Sequence, residues 1–207
     1  MWFVGNTESG FVVNKPRGLT IDSIQYPRNI FALWSKEELA AIGVMPYSET
    51  RPDTRYYNSG AISRALVDGE VVGTYTEHPK DVEALKEAML SSVKAQAGSL
   101  QSAVDWYWSR ASKGGKAVPA DIAAHATAIY AEMDAKEAAI AGFIFIDDVK
   151  LYQNTPMVET RKVKHTSDEG VETYGPETET SNRDVDMTTH GWPTLEVDPA
   201  FVSIVKE

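Results

Sequence analysis

The chain has 207 residues, of which 43% are hydrophobic and 24% are charged, and its formal net charge is −10 at pH 7. This composition is typical of a globular protein with enough apolar residues for a core, in one domain or in two small ones. The negative charge disfavours binding to nucleic acid or to an anionic membrane, and the absence of cysteine excludes disulfides, thiolate nucleophiles and zinc–thiolate sites.

The first predicted segment, residues 1–79, is rich in turn residues and short apolar runs. The runs "WFV" (2–4) and "FVV" (11–13) are separated by glycines and predict a small β-hairpin. Further along, "DGEVVGTYT" (68–76) predicts a turn followed by a strand.

A short helix is predicted between these strands, over "SKEELAAIG" (35–43). Ser35 and Glu38 have the spacing of a capping box, in which each satisfies a backbone N–H at the helix start. Gly43 suits the left-handed position that commonly ends a helix. The pattern therefore indicates both ends of this helix.

Residues 80–141 predict a helical hairpin. Apolar residues recur at spacings of three and four from Val82 to Tyr107, which indicates one helix of roughly 30 residues, about 45 Å long. A second, alanine-rich helix is expected to begin at Pro119. The glycine-containing run "SKGGKAV" (112–118) lies between them and favours an antiparallel turn.

An aromatic cluster, "DWYWSR" (105–110), precedes that turn. Trp106 and Arg110 are one helical turn apart, so we expect the guanidinium to lie over the indole ring. Packing at the tip of the hairpin is the preferred interpretation of this cluster, and a binding patch is the alternative.

The last segment, residues 142–207, is the most acidic third of the chain. We predict a buried strand at 143–146, a β-hairpin over 157–175, an extended polar loop at 176–198 and a final strand at 201–205. The expected fold class is therefore α+β, with a long antiparallel helical hairpin flanked by short β-strands, hairpins and extended segments.

We accordingly divide the chain into three parts. Residues 1–79 form a β-rich segment with one short helix, residues 80–141 form the helical hairpin, and residues 142–207 form an acidic segment that contains β-strands. The start of the chain lacks the pattern of a signal peptide, and "AGFIFI" is too short to span a bilayer. We therefore expect a soluble protein with neither a membrane nor a nucleic acid as partner.

The sequence contains no residue pattern that requires catalysis, a cofactor or a metal. The four histidines are scattered, and "GGK" (114–116) lacks the context of a phosphate-binding loop. The pairs Asp147/Asp148 and Asp184/Asp186 do not continue as a calcium loop. A glycan hydrolase that uses Asp147 and Asp148 is the least favoured hypothesis, because no feature of the sequence points to it. Its two carboxylates would be identified by their spatial separation. We predict no catalytic residue, no metal site and no cofactor.

Two segments resemble proteins of bacteriophage tails. The run "LWSKEELAAIGVMPYSETRP" (33–52) resembles an N-terminal phrase of tail-associated proteins. Residues 93–140 are similar to a helical hairpin of tail-fibre and tail-fibre-assembly-like proteins. The matching positions of that hairpin are Asp105, Trp106, Arg110, Gly114, Gly115, Val118 and Pro119. The second helix departs from the family pattern, because "HATAIYAEMD" (125–134) replaces its Tyr-Arg and Val-Arg pairs.

The resemblance implies a non-enzymatic structural protein of the phage tail, either a fibre, fibre-attachment or baseplate-adaptor subunit. It would be located in the virion, and in the host cytoplasm during assembly. A tail-fibre assembly chaperone absent from the mature particle, and a head decoration or connector protein, are the alternatives.

The implied partners are other phage tail proteins and further copies of the chain, with a host surface receptor as an additional candidate. A helical hairpin of this length has a small core of its own, so we expect its apolar stripe to contact a neighbouring subunit. Aromatic residues and arginine are enriched among interface anchors. The candidate interface residues are Val93, Leu100, Val104, Trp106, Tyr107, Trp108, Arg110, Trp34 and Trp192.

Overall fold

Helix and strand each account for about 35% of the chain in the computed structural model, which describes residues 1–167, 170–195 and 201–206. The chain divides into two compact units, Met1–Pro79 and Lys80–Glu207. The helical hairpin and the acidic C-terminal segment, which we separated in the sequence, lie in one unit.

The N-terminal unit is built on a curled five-stranded sheet with strand order β2-β1-β5-β7-β6. Strands β5 and β7 pair in parallel, and the other neighbours are antiparallel. Strands β3 and β4 form a separate hairpin. The elements are β1 (Trp2–Val4), β2 (Phe11–Val13), β3 (Leu19–Ile21), β4 (Ile24–Tyr26), α1 (Ile30–Leu33), α2 (Lys36–Ala41), β5 (Val44–Thr50), β6 (Tyr57–Val67) and β7 (Glu70–Pro79).

Alternation along the strands gives this unit two apolar clusters. Neighbouring residues of a strand point to opposite faces of the sheet, and Phe3 and Val4 belong to different clusters. Phe3 packs with Tyr47 and Val71, and all three are buried. The other cluster gathers Val4, Val13, Leu19, Ile30, Leu39 and Val44 beneath α1 and α2.

The predicted elements of the N-terminal unit are confirmed. Strands β1 and β2 form the expected hairpin. Ser35 and Glu38 make both hydrogen bonds of the capping box, and Gly43 has a φ of +75°. Asp68 and Gly69, both with positive φ, form the tight turn before β7. The sequence analysis missed β5 and β6, which complete the sheet.

The C-terminal unit combines four helices with a three-stranded antiparallel sheet of order β10-β8-β9, among the residues described. Its helices are α3 (Val82–Ser102), α4 (Asp105–Ser112), α5 (Ala120–Ala141) and α6 (Ile146–Gln153). Its strands are β8 (Thr155–Thr166), β9 (Glu172–Val185) and β10 (Phe201–Lys206).

Helices α3 and α5 pack side by side in opposite directions. The Nζ atom of Lys86, near the start of α3, donates a hydrogen bond to the carbonyl of Ala141 at the end of α5. Near the other end of α3, Gln101 donates to the carbonyl of Ala126. The apolar stripe of α3 is buried in this contact, through Met89, Val93 and Ala97, against Ile122, Ile129 and Ile140 of α5.

The expected fold class, a long helical hairpin flanked by short strands, is wrong. Strands make up as much of the chain as helices, and β6 to β9 are 10 to 14 residues long. The first helix of the hairpin is also shorter than predicted. It ends at Ser102, and α4 starts afresh at Asp105 after a break that places Val104 in the core, 2% exposed.

Two predictions for the C-terminal segment are wrong for physical reasons that the structure shows. Residues 143–146 do not form a buried strand, because the carboxylate of Asp148 accepts hydrogen bonds from the backbone N–H groups of Ile144 and Phe145 and so begins α6. The polar loop expected at 176–198 begins as part of β9, which lacks an apolar alternation because most of its side chains are exposed. Residues 196–198 of that loop lie outside the described residues.

The two other strand predictions in this segment are confirmed. Strands β8 and β9 form the hairpin predicted over 157–175, and its arms are longer than expected. The predicted turn residues Asp168 and Glu169 lie outside the described residues. The final strand, predicted at 201–205, pairs with β8.

A buried lysine holds the turn after β9 against α5. Lys136 is only 2% exposed, and its Nζ atom lies 2.5 Å from the carbonyl oxygens of both Met187 and His190. Its third partner is the carboxylate of Glu132, at 2.9 Å, and the ring of Trp192 lies over it with the centroid 5.4 Å away. Every donor of this ammonium group therefore has an acceptor.

We expect Lys136→Met to lower the free energy of unfolding by about 3 kcal/mol or more, because two carbonyl groups and a carboxylate lose their shared donor. Urea-induced unfolding followed by circular dichroism measures the change. Lys94→Met is the matched control, since Lys94 is 64% exposed and lies 3.6 Å from Glu137. The control should lose at most about 1 kcal/mol. An equal loss in both variants would show that the buried contacts of Lys136 do not stabilise the fold.

Candidate functional site

The aromatic cluster at the start of α4 is a stack of three side chains. The rings of Trp106 and Tyr107 have centroids 3.9 Å apart. The guanidinium of Arg110 lies 4.8 Å from the Trp106 centroid and 5.4 Å from that of Tyr107, which confirms the predicted contact between Arg110 and Trp106. The carbonyl of Arg110 also accepts a hydrogen bond from Gly115, so the stack is fixed to the turn that follows.

The candidate interface residues of the helical stripe divide by their exposure. Val93 and Val104 are buried within the chain, at 0% and 2% exposed, so no neighbouring subunit is needed to cover them. Leu100 is half-buried. Trp106 and Trp108 remain exposed, at 51% and 39%, so a partner or ligand can reach both aromatic side chains.

The two candidate tryptophans outside the hairpin lie in different units. Trp34 belongs to the N-terminal unit, is 37% exposed and meets Tyr26 edge to face. Trp192 is half-buried in the C-terminal unit, where it covers Lys136 and donates to the carbonyl of Thr188. Trp192 therefore has a clear packing role within the chain.

A cavity that the sequence analysis missed lies beside α6. It has a volume of about 380 Å³ and an apolar lining that includes Phe143, Leu151 and Met157. Exposed apolar side chains adjoin it in sequence, because Ile144 and Phe145 are 71% and 67% exposed. The run that we interpreted as a buried strand thus supplies an apolar surface.

The two aspartates beside this cavity have structural partners. Hydrogen bonds from the backbone of Phe145 and Ile144 lower the pKa of Asp148. Asp147 lies 3.5 Å from Lys150 within α6. Both carboxylates therefore serve the start of a helix, and this placement does not favour the hydrolase hypothesis. Burial, with smaller contributions from Glu132 and Asp186, raises the pKa of Tyr152 to about 12.

The distal part of the β8–β9 hairpin is a two-stranded ribbon, formed by residues 162–166 and 172–178, which we call the ribbon. Strand β10 pairs with β8 only as far as Arg161. Nearly all side chains of the ribbon are exposed on both faces. A cross-strand ion pair joins Lys164 to Glu172 at 2.5 Å, and a cross-strand hydrogen bond joins the Nε2 atom of His165 to the Glu177 carboxylate at 3.0 Å.

A buried carboxylate marks the base of the ribbon. Glu159 is 5% exposed and accepts from Arg161 at 2.7 Å and from Arg183 at 3.0 Å. The two arginines on neighbouring strands neutralise it, which is the usual condition for burying a charge. This arrangement anchors the ribbon to the rest of the sheet. A sequence signal for it exists in hindsight, since Glu159 and Arg161 are spaced to share one face of a strand.

No metal site and no membrane-spanning helix are found among the residues described. No three His, Asp or Glu side chains there lie close enough together to hold a metal ion. No helix in the same part of the chain has the length and apolarity needed to cross a bilayer.

The chain matches no protein-family model, and comparison with curated proteins and with solved structures also gives no match. Function must therefore be argued from the chain's own surfaces.

We expect Tyr152→Phe to remove the latest step of the alkaline tyrosine titration. The pKa in the folded state lies above the ordinary value of 10.0, so the folded chain holds this proton more tightly than the unfolded chain does. The resulting stability is complete below pH 10 and is lost between pH 10 and about 12. The ultraviolet absorbance of tyrosinate measures the titration, and Tyr130→Phe, which retains Tyr152, should keep the late step. A late step that survives in Tyr152→Phe would contradict the assignment.

Proposed function

We propose that this chain is a non-enzymatic structural protein of a bacteriophage tail, a fibre, fibre-attachment or baseplate-adaptor subunit that acts through protein–protein contacts. The motif resemblance of residues 33–52 and 93–140 suggests the setting. The observation that carries the proposal is the ribbon, an extended element whose side chains are nearly all exposed on both faces.

The ribbon gains little stability from within the chain. An isolated two-stranded hairpin is marginally stable in water, and exposed ion pairs add about 0–1 kcal/mol each. Lys164 and Glu172 are 48% and 55% exposed, so their pairing belongs to this weak class. A partner that covers one face of the ribbon would supply the missing stabilisation.

The outer edge of β9 is poorly suited to strand addition. Pro176 lacks the N–H group that a neighbouring strand would need, and the β8–β9 register shifts between Lys162 and Lys164. Proline and bulges on edge strands are devices that prevent indiscriminate pairing. We therefore assign the contact to the faces of the ribbon.

The charges of the ribbon fit a second copy of the chain among the proposed partners. Its first strand carries Lys162, Lys164 and His165, whereas the second carries Glu172 and Glu177. A twofold axis parallel to the ribbon would place the basic strand of one copy over the acidic strand of the other. Such self-complementary contact is characteristic of twofold interfaces.

Immunogold labelling tests the position of the protein on phage particles. The sample is a lysate of a culture that produces a phage whose genome encodes the chain. We expect gold particles on tails. Labelling of heads would replace the proposal with a decoration or connector protein. Protein that is present in the lysate but absent from purified particles would replace it with an assembly chaperone.

We expect that replacing residues 163–177 with Asn-Gly abolishes self-association and leaves the fold intact. The dipeptide joins Lys162 to Thr178, which are paired in the hairpin, through a two-residue turn. Because the deleted side chains are mostly exposed, the melting temperature should fall by no more than about 4 °C. Size-exclusion chromatography with light scattering measures the mass of the wild type and of the variant.

The exchange Lys164→Glu with Glu172→Lys is the control, because it keeps an ion pair across the ribbon and preserves its length. This control should keep both the ribbon fold and self-association, because the exchange occurs in every copy and opposite charges still face each other across the twofold axis. A wild type that is monomeric at all concentrations, or a truncated variant that still associates, would overturn the assignment of the ribbon as the contact surface.

A further inference from the structure

We propose that a groove between α4 and α5 binds a neutral pyranose unit of a glycan. The groove has a volume of about 410 Å³, which is within the range of small-ligand sites. It lies outside the ribbon, so this proposal does not depend on the assembly role. Its lining combines exposed aromatic rings with oxygen acceptors.

The break between α3 and α4 creates one wall of the groove. Helix α3 ends at Ser102, the buried Val104 fixes the break, and α4 begins at Asp105. Asp105 and Trp108 are three residues apart and therefore share one face of α4. Both line the groove.

The opposite wall is a single stripe of α5. Ala123, Ala126, Thr127 and Tyr130 follow the i, i+3, i+4, i+7 spacing of one helix face, and all four line the groove. The methyl groups of the two alanines leave room for a ligand close to the helix. Tyr130 lies at the C-terminal end of this stripe and adds an aromatic ring to the lining.

The two aromatic side chains of the groove are partly exposed. Trp108 is 39% exposed and Tyr130 is 54% exposed. Neither ring contacts another ring in the part of the chain that the structure describes, whereas Trp106 and Tyr107 stack closely on each other. An exposed aromatic face packs well against the C–H face of a pyranose, because it covers apolar surface and leaves the hydroxyl groups at the edge.

The groove offers three side-chain oxygen acceptors in addition to the Tyr130 hydroxyl, which can both donate and accept. The amide nitrogen of Gln101 donates to the carbonyl of Ala126 at 2.9 Å, which leaves its oxygen to accept. The hydroxyl of Thr127 donates to the carbonyl of Ala123 at 3.0 Å, so its remaining capacity is also as an acceptor. The carboxylate of Asp105 has no hydrogen-bond or ion-pair partner within the described residues. Three acceptors beside two rings suit a ligand with several O–H donors.

The charge of the groove selects against acidic sugars. The lining contains one carboxylate and, among the described residues, no lysine or arginine. An acidic sugar would therefore meet repulsion without compensation. A quaternary ammonium group would be attracted to an aromatic face and to the Asp105 carboxylate, but it has no N–H or O–H group to donate to the acceptors. A neutral sugar satisfies both the rings and the acceptors.

Saturation-transfer NMR with the full chain tests the proposal, using maltotriose, cellotriose and chitotriose as neutral probes and sialyllactose and choline as competitors. We expect at least one neutral trisaccharide to bind, with the strongest transfer to its ring C–H protons. Trp108→Ala should weaken this binding at least tenfold. Trp34→Ala is the matched control, because Trp34 has a similar exposure of 37% and lies in the other unit.

Tyr130→Ala provides a second test on an exposed helical position, and it decides the question if circular dichroism shows that Trp108→Ala does not fold. This variant should also weaken binding about tenfold. Three outcomes would overturn the proposal. These are no transfer to any neutral trisaccharide, binding unchanged in the folded variants of the groove, and preferential binding of sialyllactose or choline.

Discussion

The C-terminal unit depends on the buried ammonium group of Lys136. Its acceptors come from Glu132 on its own helix and from two carbonyls of the turn after β9, more than 50 residues further along the chain. Hydrophobic contacts could slide, but three directed hydrogen bonds to a charge permit one position of that turn. The turn follows directly from Val185 at the buried end of β9, so Lys136 fixes where the sheet meets the helices. The ribbon extends from the opposite end of the same strand.

Short-range patterns in the sequence predicted short-range structure well. The capping box at Ser35, the hairpin of β1 and β2 and the stack of Arg110 on Trp106 all depend on residues within a few positions of each other. The fold class failed because it depends on long-range pairing. Strand β9 has no apolar alternation, and its length is set by pairing with β8. Lys136 could not be identified either, since a lysine is almost never fully buried and its acceptors are distant in sequence.

The candidate sites show the same difference between short-range features, which the sequence predicts, and features that depend on the folded structure. The aromatic residues of α4 were visible in the sequence, but the groove that Trp108 lines was not, because we expected one continuous helix from Val82 to Tyr107. The break at Ala103 and Val104 turns Trp108 and Asp105 toward α5, and no glycine or proline marks that break. Likewise, the apolar surface at Ile144 and Phe145 arises because Asp148 captures their N–H groups for a helix start. Both features required knowledge of competing hydrogen bonds.

Burial separates the parts of the C-terminal unit that hold the fold from those available to a partner. Val93, Val104 and Lys136 are nearly inaccessible, and their contacts are complete within the chain. The ribbon and the groove are accessible and have little internal use for their exposed side chains. A surface that stabilises nothing in its own chain can be changed with little loss of stability, whereas a change at a buried position affects both fold and function. This difference makes the two surfaces separable by mutation. It also explains why a fold held by buried contacts can present an extended β-ribbon and an aromatic groove to solvent.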